Sequence, residues 1–159
     1  GIGLAAPQIG VQKRMLVIDC KKIGVEAPEP YSSNEDYWVL VNPQIKLLGE
    51  EFEWTEACLS VPNVEYSVGR NTAIQVTYQN VDGVENTLEL ERPLSGVLQH
   101  ECDHLDGVLY IDRLSRLKRG FLVKRMNKIN RKQQKYLEQL RLDHEDTGHG
   151  RRRRTRRRK

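Results

Sequence analysis

Alternation of apolar and polar positions predicts most of the strands in this chain. Four segments alternate and are rich in β-branched and aromatic residues: 14–19, 37–43, 44–54 and 73–91. The second segment is predicted to end at Pro43, and the third to contain a turn or bulge near Gly49. The fourth has the pattern of a hairpin that turns at Asp82-Gly83. Residues 20–36 contain Pro, Gly, Ser and acidic residues and are predicted to form a loop.

Helical periodicity replaces alternation after the hairpin. Pro93 suits the first position of a helix, and Gly107 suits the position after its end. The apolar residues that line one side of this helix are Leu94, Val97, Leu98 and Leu105. A short extended piece, 108–112, is predicted to lead into a long amphipathic helix over 115–142 with a basic outer face. The apolar positions of that helix are Leu117, Phe121, Leu122, Met126, Ile129, Tyr136, Leu137 and Leu140.

Strands followed by helices indicate an α+β fold, and 159 residues correspond to about one domain. We expect a single domain over 1–142, followed by a basic, disordered tail over 143–159. No apolar run approaches the roughly 20 residues that span a membrane. The 3 cysteines are an odd number, which argues against a disulfide framework and favours a reducing compartment or a metal role.

The net charge of +4 conceals a strong asymmetry along the chain. Residues 1–112 hold 7 basic and 18 acidic residues, whereas residues 113–141 hold 11 basic residues and a single acid, Glu138. The last nine residues, RRRRTRRRK, add eight more basic residues. An acidic body therefore carries a basic arm, which is typical of contact with nucleic acid or another polyanion, although many such tails are only solvated.

A metal-binding pattern lies in the predicted helix, where residues 100–104 read HECDH. Two histidines four residues apart on a helix lie about 40° apart around its axis, so both rings can reach one ion. Glu101 lies beside them and could exchange a proton with water at that ion. Two chance histidines on a surface helix are the alternative, but this helix is otherwise strongly apolar.

A catalytic site of this kind needs a third protein ligand and an open position. One class of zinc proteases places a third His where this chain has Tyr110, and another uses a later Glu, but no acid lies between Asp112 and Glu138. Upstream, Cys58 offers a thiolate, a strong ligand for iron or zinc, although a buried core thiol is the commoner role for Cys. The run from Leu59 to Pro62 is predicted to be an edge strand beside it.

Three short segments together resemble the peptide deformylase family: GIGLAAPQ (1–8), EACLS (56–60) and HECDH (100–104). The resemblance covers residues 1 to about 125 and implies a helix and a strand that precede residue 1 in the family. The implied fold is α+β, with antiparallel β-sheets packed around a central metal-binding helix and a long C-terminal helix.

The resemblance also implies roles for individual residues. The family's metal ligands correspond to Cys58, His100 and His104, and its general base to Glu101. The groups that bind the reacting oxygen correspond to the side-chain amide of Gln8 and the backbone N–H of Leu59. The implied reaction is attack of metal-activated water on the formyl carbon of a formyl-methionyl peptide, which releases formate. The implied metal is Fe²⁺, for which Zn²⁺, Ni²⁺ or Co²⁺ can substitute.

Four residues are candidates for binding the peptide. Ile2 and Gly3 are expected to pair with the extended substrate as an added strand. A phosphate-binding glycine loop is excluded there, since no Lys-Ser/Thr follows. Trp54 and Val97 are candidates for the pocket of the methionine side chain, with ordinary core packing as the alternative. Spacing within the family pattern also suggests that Arg70 pairs with Glu56 or Asp103 and supports the site.

The chain departs from the family pattern in three places. Ala57 stands where the family usually has Gly between the Glu and Cys of the second segment, which could strain the geometry at Leu59. Glu65 stands where many relatives carry an Arg that holds the peptide backbone. The RRRRTRRRK tail is not a feature expected of the family.

The expected partners are the formyl-methionyl peptide and, transiently, the ribosome, through the basic C-terminal helix and tail. No membrane and no sequence-specific nucleic acid is expected. The predicted compartment is the bacterial cytoplasm, or a mitochondrion or plastid if a targeting peptide has been removed. An alternative function is a ribosome- or RNA-associated binding module with a vestigial metal site. A third is a peptidase of the H-E-x-x-H type, which would cut internal peptide bonds.

Overall fold

The structure, a computed structural model, describes residues 1–28 and 37–154. The chain forms β1 (Gly3–Ala5), a 3₁₀ helix (Ala6–Ile9), β2 (Met15–Asp19), α1 (Cys20–Ile23), β3 (Tyr37–Cys58), β4 (Val61–Gln79) and β5 (Glu85–Glu91). There follow α2 (Leu94–Leu105), a second 3₁₀ helix (Tyr110–Arg113) and α3 (Arg116–Arg154). The α+β prediction is confirmed. Among the described residues, no helix is both long enough and apolar enough to cross a membrane.

One antiparallel sheet contains all five strands in the order β1-β2-β3-β4-β5. Its long strands β3 and β4 pair along most of their length, with shifts of register between Val41 and Gln44, between Leu48 and Glu51, and between Ala57 and Cys58. The predicted break at Pro43 is wrong: β3 passes through it. Proline has no N–H for the ladder, but at a bulge that loss is tolerated.

Backbone conformation explains where the first two bulges lie. Asn42 has a φ of 52° and Gly49 a φ of 68°, and both residue types tolerate this left-handed region better than other residues. The bulge predicted near Gly49 is therefore confirmed, as is the hairpin turn at Asp82-Gly83 between β4 and β5.

Helix α2 is buried by the sheet. Ten of its residues are buried, including Val97, Leu98 and Cys102, and it packs against residues of all five strands. The side chains that surround it are mainly the apolar residues of β2, β3 and β4, such as Leu16, Trp38 and Ile74. Burial of both apolar and polar faces of α2 is what places its ionisable residues inside the molecule.

A second, smaller core lies under the start of α3. It contains Val61, Val64, Val68, Tyr110, Ile111 and Leu122. The residues 108–112, predicted to be extended, instead include the 3₁₀ helix that carries Tyr110 and Ile111 into this core. Asp112 accepts a hydrogen bond from the Leu109 N–H and stabilises the start of that helix.

Helix α3 differs from its prediction in length and in which apolar residues it buries. Its backbone remains helical through residues 143–154, the first part of the segment predicted as a disordered tail; residues 155–159 lie outside the described part of the chain. Leu122 is buried and Met126 and Ile129 pack against the second core, but the other five predicted positions are exposed: Leu117, Phe121, Tyr136, Leu137 and Leu140. Only the first half of α3 has a described surface to pack against.

Candidate metal centre

The two histidines of HECDH lie on consecutive turns of α2. Their Nε2 atoms are 3.2 Å apart, and the rings meet edge to face with centroids separated by 4.7 Å. This is the geometry predicted from four-residue spacing on a helix. His104 is buried and His100 is half-buried, so the pair is accessible from one side only.

Cys58 brings the third donor from the end of β3. Its Sγ lies 3.2 Å from the His104 Nε2, and the donor atoms of Cys58, His100 and His104 all lie within 4.8 Å of one another. The register shifts between Ala57 and Cys58, and Cys58 pairs with Val61 as the last residue of β3. One thiolate and two imidazoles are donors that suit Fe²⁺ or Zn²⁺, so the residues present fit a metal of this kind.

Electrostatics favour the deprotonated thiol that a metal requires. Burial alone would raise the pKa of Cys58, but hydrogen bonds with His100 and His104 outweigh it and lower this pKa to about 5. For His100 burial acts in the opposite direction and would lower the pKa. Hydrogen bonds with Cys58 and Glu56 outweigh this effect and raise the pKa of His100 to about 10. The other two thiols, Cys20 and Cys102, are buried in the first core and are not among the converging donors.

A buried network of ion pairs contacts His100 on the side of its ring that faces away from the other donors. The His100 Nδ1 lies 2.6 Å from Glu56 Oε2, which leaves Nε2 facing the other donors. Arg70, only 2% exposed, binds Glu56 through two contacts, Nε to Oε1 at 2.5 Å and Nη2 to Oε2 at 3.0 Å. Its Nη1 donates to Asp103 Oδ2 at 2.7 Å, and Arg113 also pairs with Asp103. Arg70 thus contacts both of the carboxylates expected for it.

Both carboxylates of this network are ionised by their partners. Burial would raise the pKa of Glu56, but hydrogen bonds from His100 and Arg70 hold it below the ordinary value. Burial acts in the same direction on Asp103, where bonds from Arg113 and Arg70 lower the pKa. Two acids and two arginines therefore neutralise each other inside the protein.

Glu101 is in the opposite situation. Its side chain is buried, and Oε2 has no hydrogen-bond partner among the described residues. Burial raises the pKa of this carboxyl, and the nearby His100 and His104 only partly offset that effect. The other carboxyl oxygen, Oε1, lies next to Gly3, where an added Cβ would be only 2.3 Å from it. A buried carboxyl without a partner, beside three metal donors, is suited to exchange a proton with a bound reactant.

Gln8 reaches the site from the first 3₁₀ helix. Its Oε1 accepts the Ala5 N–H at 2.8 Å, which orients the amide. Its Nε2 then points to Cys58 Sγ at 3.7 Å and to Ser60 Oγ at 3.2 Å. Leu59 lies with Ser60 in the two-residue turn between β3 and β4, and its side chain is 82% exposed. The edge strand predicted from Leu59 to Pro62 is therefore wrong for Leu59 and Ser60, which form the turn, whereas Val61 and Pro62 begin β4.

A cleft of ≈ 880 Å³ opens over these groups. The predicted peptide-binding residues Ile2, Gly3, Trp54 and Val97 all line it, as do Gln8, Cys58, His100 and Glu101. Trp54 packs on Gly96 of α2, where an added Cβ would meet the indole at 3.0 Å. Ile2 and Gly3 lie at the start of β1, which in the described part of the chain is an edge strand paired with β2.

Several residues of the cleft were not assigned to the site from the sequence. Among them are Asn63, Glu65 and Arg125, the last from α3. Glu65 was noted only as a departure from the family pattern, and the basic periodicity of α3 could not single out Arg125. Ala57, another of the three departures, causes no left-handed strain: among the described residues, the non-glycine positions with positive φ are Asn42 and Asn63.

Comparisons with known proteins agree with this geometry. Residues 1–120 match the family model described as polypeptide deformylase. The chain is 42% identical over 132 residues to a peptide deformylase of Agrobacterium fabrum, covering 82% of this chain and 73% of that protein. It is 45% identical over 129 residues to one of Rhizobium meliloti, covering 80% and 70%.

Solved structures give the same result. The crystal structure of peptide deformylase from Thermus thermophilus matches with a TM-score of 0.69 and 37% identity, over 80% of this chain and 71% of that one. A peptide deformylase from Synechococcus elongatus, solved in complex with actinonin, matches with a TM-score of 0.68 and 36% identity, over 80% and 66%.

Proposed function

The chain belongs to the polypeptide deformylase family, a family of metal-dependent hydrolases, and we propose that it removes the N-formyl group from formyl-methionyl peptides. Water adds to the formyl carbon, the C–N bond breaks, and the products are formate and a peptide with a free amino terminus. The observation that carries this proposal is the unpartnered carboxyl of Glu101, buried beside three converging metal donors.

Cys58, His100 and His104 would hold the metal. Bound there, a divalent ion would supply Lewis acidity and lower the pKa of a water molecule beside the formyl carbon. Fe²⁺ is the proposed ion, with Zn²⁺, Ni²⁺ or Co²⁺ as substitutes, because all four accept sulfur and imidazole donors.

The remaining residues move the proton and stabilise charge. Glu101 accepts a proton from the attacking water at Oε2 and returns it to the leaving amine nitrogen. Gln8 donates from Nε2, and Leu59 from its backbone N–H, to the formyl oxygen as negative charge develops on it. Removing one such donor typically costs about a hundredfold or more in kcat. Ile2 and Gly3 hold the peptide at the edge of β1, and Trp54 and Val97 surround the methionine side chain.

The test is formate release from formyl-Met-Ala-Ser by protein purified anaerobically with Fe²⁺, or with Ni²⁺. Glu101→Ala should abolish turnover while metal content stays at the level of the parent protein. Glu53→Ala removes an exposed glutamate outside the cleft and is the matched control, which should leave turnover unchanged. Internal cleavage of the peptide without formate would support the peptidase, and binding without any turnover would support the non-catalytic module.

We also propose transient ribosome contact through α3, in a compartment that begins translation with formyl-methionine: the bacterial cytoplasm, or alternatively a mitochondrion or plastid. The supporting observation is a shallow groove on α3 whose lining is almost entirely basic: Lys124, Asn127, Lys128, Arg131, Lys132 and Lys135. Such a surface suits the phosphates of RNA. Deleting residues 144–159 should lower ribosome affinity at low salt without affecting deformylation, and unchanged binding across a salt titration would contradict the role of that segment.

A further inference from the structure

Two charged side chains on the cleft wall take no part in the metal centre. Of the charged residues that line the cleft, Glu56, His100 and Glu101 belong to the centre, which leaves Glu65 and Arg125. Both side chains are exposed, and neither forms a hydrogen bond or an ion pair with another residue in the described part of the chain. Exposed charged side chains on the wall of a cleft that have no protein partner are available to a bound ligand.

The two charges lie on different elements that the fold holds in place. Glu65 pairs with Ala57 in the ladder between β3 and β4, one residue before Cys58. Arg125 lies on α3, beside Met126, which packs against the second core. Strand pairing therefore fixes the position of Glu65 on one wall of the cleft, and helix packing fixes the position of Arg125 on the other.

A cluster of amides secures α3 to the cleft. Asn63, which itself lines the cleft, donates from Nδ2 to Asn130 Oδ1 at 3.0 Å and to Gln133 Oε1 at 3.1 Å. Gln133 Nε2 donates back to Asn63 Oδ1 at 3.3 Å. These bonds cross from the start of β4 to the second and third turns of α3 beyond Arg125. The guanidinium thus belongs to a structured wall of the cleft and not to the basic tail.

We infer that Arg125 and Glu65 are specificity-determining residues, which read the charge of the peptide in the residues that follow formyl-methionine. This inference rests on the proposed deformylation. The formyl end is held at Cys58 and Glu101 and the methionine side chain lies against apolar walls, so the later residues leave through the rest of the cleft. Each extended residue advances the chain by about 3.3 Å. Arg125 favours acidic side chains there, and Glu65 favours basic ones.

The experiment compares formyl-Met peptides that carry Asp or Lys at the second, third or fourth position. A single exposed charge contact changes affinity by up to about fivefold. Arg125→Glu removes one contact and adds a repulsion, so it should lower the ratio of kcat/KM for Asp over Lys by about fivefold or more at one position. Glu65→Gln should raise that ratio. Both changes should appear in KM with little change in kcat, and both should shrink at high salt.

Arg116→Glu is the matched control, since it makes the same charge change on the same helix outside the cleft lining. If Arg116→Glu changed the ratio of kcat/KM for Asp over Lys as much as Arg125→Glu does, the effect would come from the overall charge of the protein, and the inference would be overturned. Unchanged ratios in Arg125→Glu and Glu65→Gln would also overturn it. The Kd values of the corresponding deformylated peptides provide a second readout. They test the charge selection even if no formate forms, which would instead contradict the proposed function.

Discussion

Replacing Arg70 with Met should weaken both the fold and the metal site. Arg70 is 2% exposed and supplies three hydrogen bonds to two buried carboxylates, two to Glu56 and one to Asp103. Removing one partner from a buried ion pair leaves an uncompensated charge and costs about 3–5 kcal/mol. Domains are stable by only about 5–15 kcal/mol, so this is a large fraction of the total.

The second effect of Arg70→Met reaches the metal through Glu56. Without the guanidinium, Glu56 loses two of its three described bonds and no longer holds the His100 ring firmly through Nδ1. Loss of such an outer contact typically reduces metal affinity by about 10- to 100-fold. The assays are urea unfolding, with and without chelator, and titration of the chelated protein with Zn²⁺.

Arg113 offers a matched control within the same network. It also binds Asp103, but it does not contact Glu56, and its side chain is 42% exposed. In Arg113→Met, Asp103 keeps its hydrogen bond to Arg70 and Glu56 keeps all of its partners, so this variant should cost less stability than Arg70→Met and leave metal affinity unchanged. Adding Glu56→Gln to Arg70→Met removes the orphaned charge and should recover part of the stability. Equal losses in the two arginine variants, or Arg70→Met with normal metal affinity, would refute the reasoning.

Three further outcomes are expected. In chelated protein, iodoacetamide should modify Cys58 rapidly and the buried Cys20 slowly, because the pKa of Cys58 is lowered to about 5; excess Zn²⁺ should protect Cys58, and mass spectrometry of the peptides checks this. Gly3→Ala should lower kcat by tenfold or more with metal content retained, since its Cβ would lie 2.3 Å from Glu101; unchanged kcat would show that Glu101 can shift freely. Trp54→Ala should reduce kcat/KM for formyl-Met relative to formyl-Ala peptides by about tenfold, and an unchanged ratio would remove Trp54 from the methionine pocket.

The features that depend on neighbours in sequence were predictable. Four-residue spacing on a helix brings His100 and His104 together, whatever the rest of the chain does. Alternation located β2 and the β4–β5 hairpin, and Gly49 marked a bulge. Position beside the histidines also indicated a proton-exchange role for Glu101, and the deformylase resemblance then assigned Cys58 and Gln8, which residue types and spacing alone had left open.

The features that depend on distant contacts came only from the tertiary structure. The family pattern suggested that Arg70 pairs with Glu56 or Asp103, but only the structure shows that Arg70 binds both in one buried network, because the three residues lie on different elements and each would be exposed by its residue type. Nor could the periodicity of α3 show which apolar positions find a partner, since a helix face is buried only where another surface lies against it. Local spacing along the chain therefore placed the two histidine donors, the family resemblance added Cys58, and packing alone decided what supports these donors and what borders the cleft.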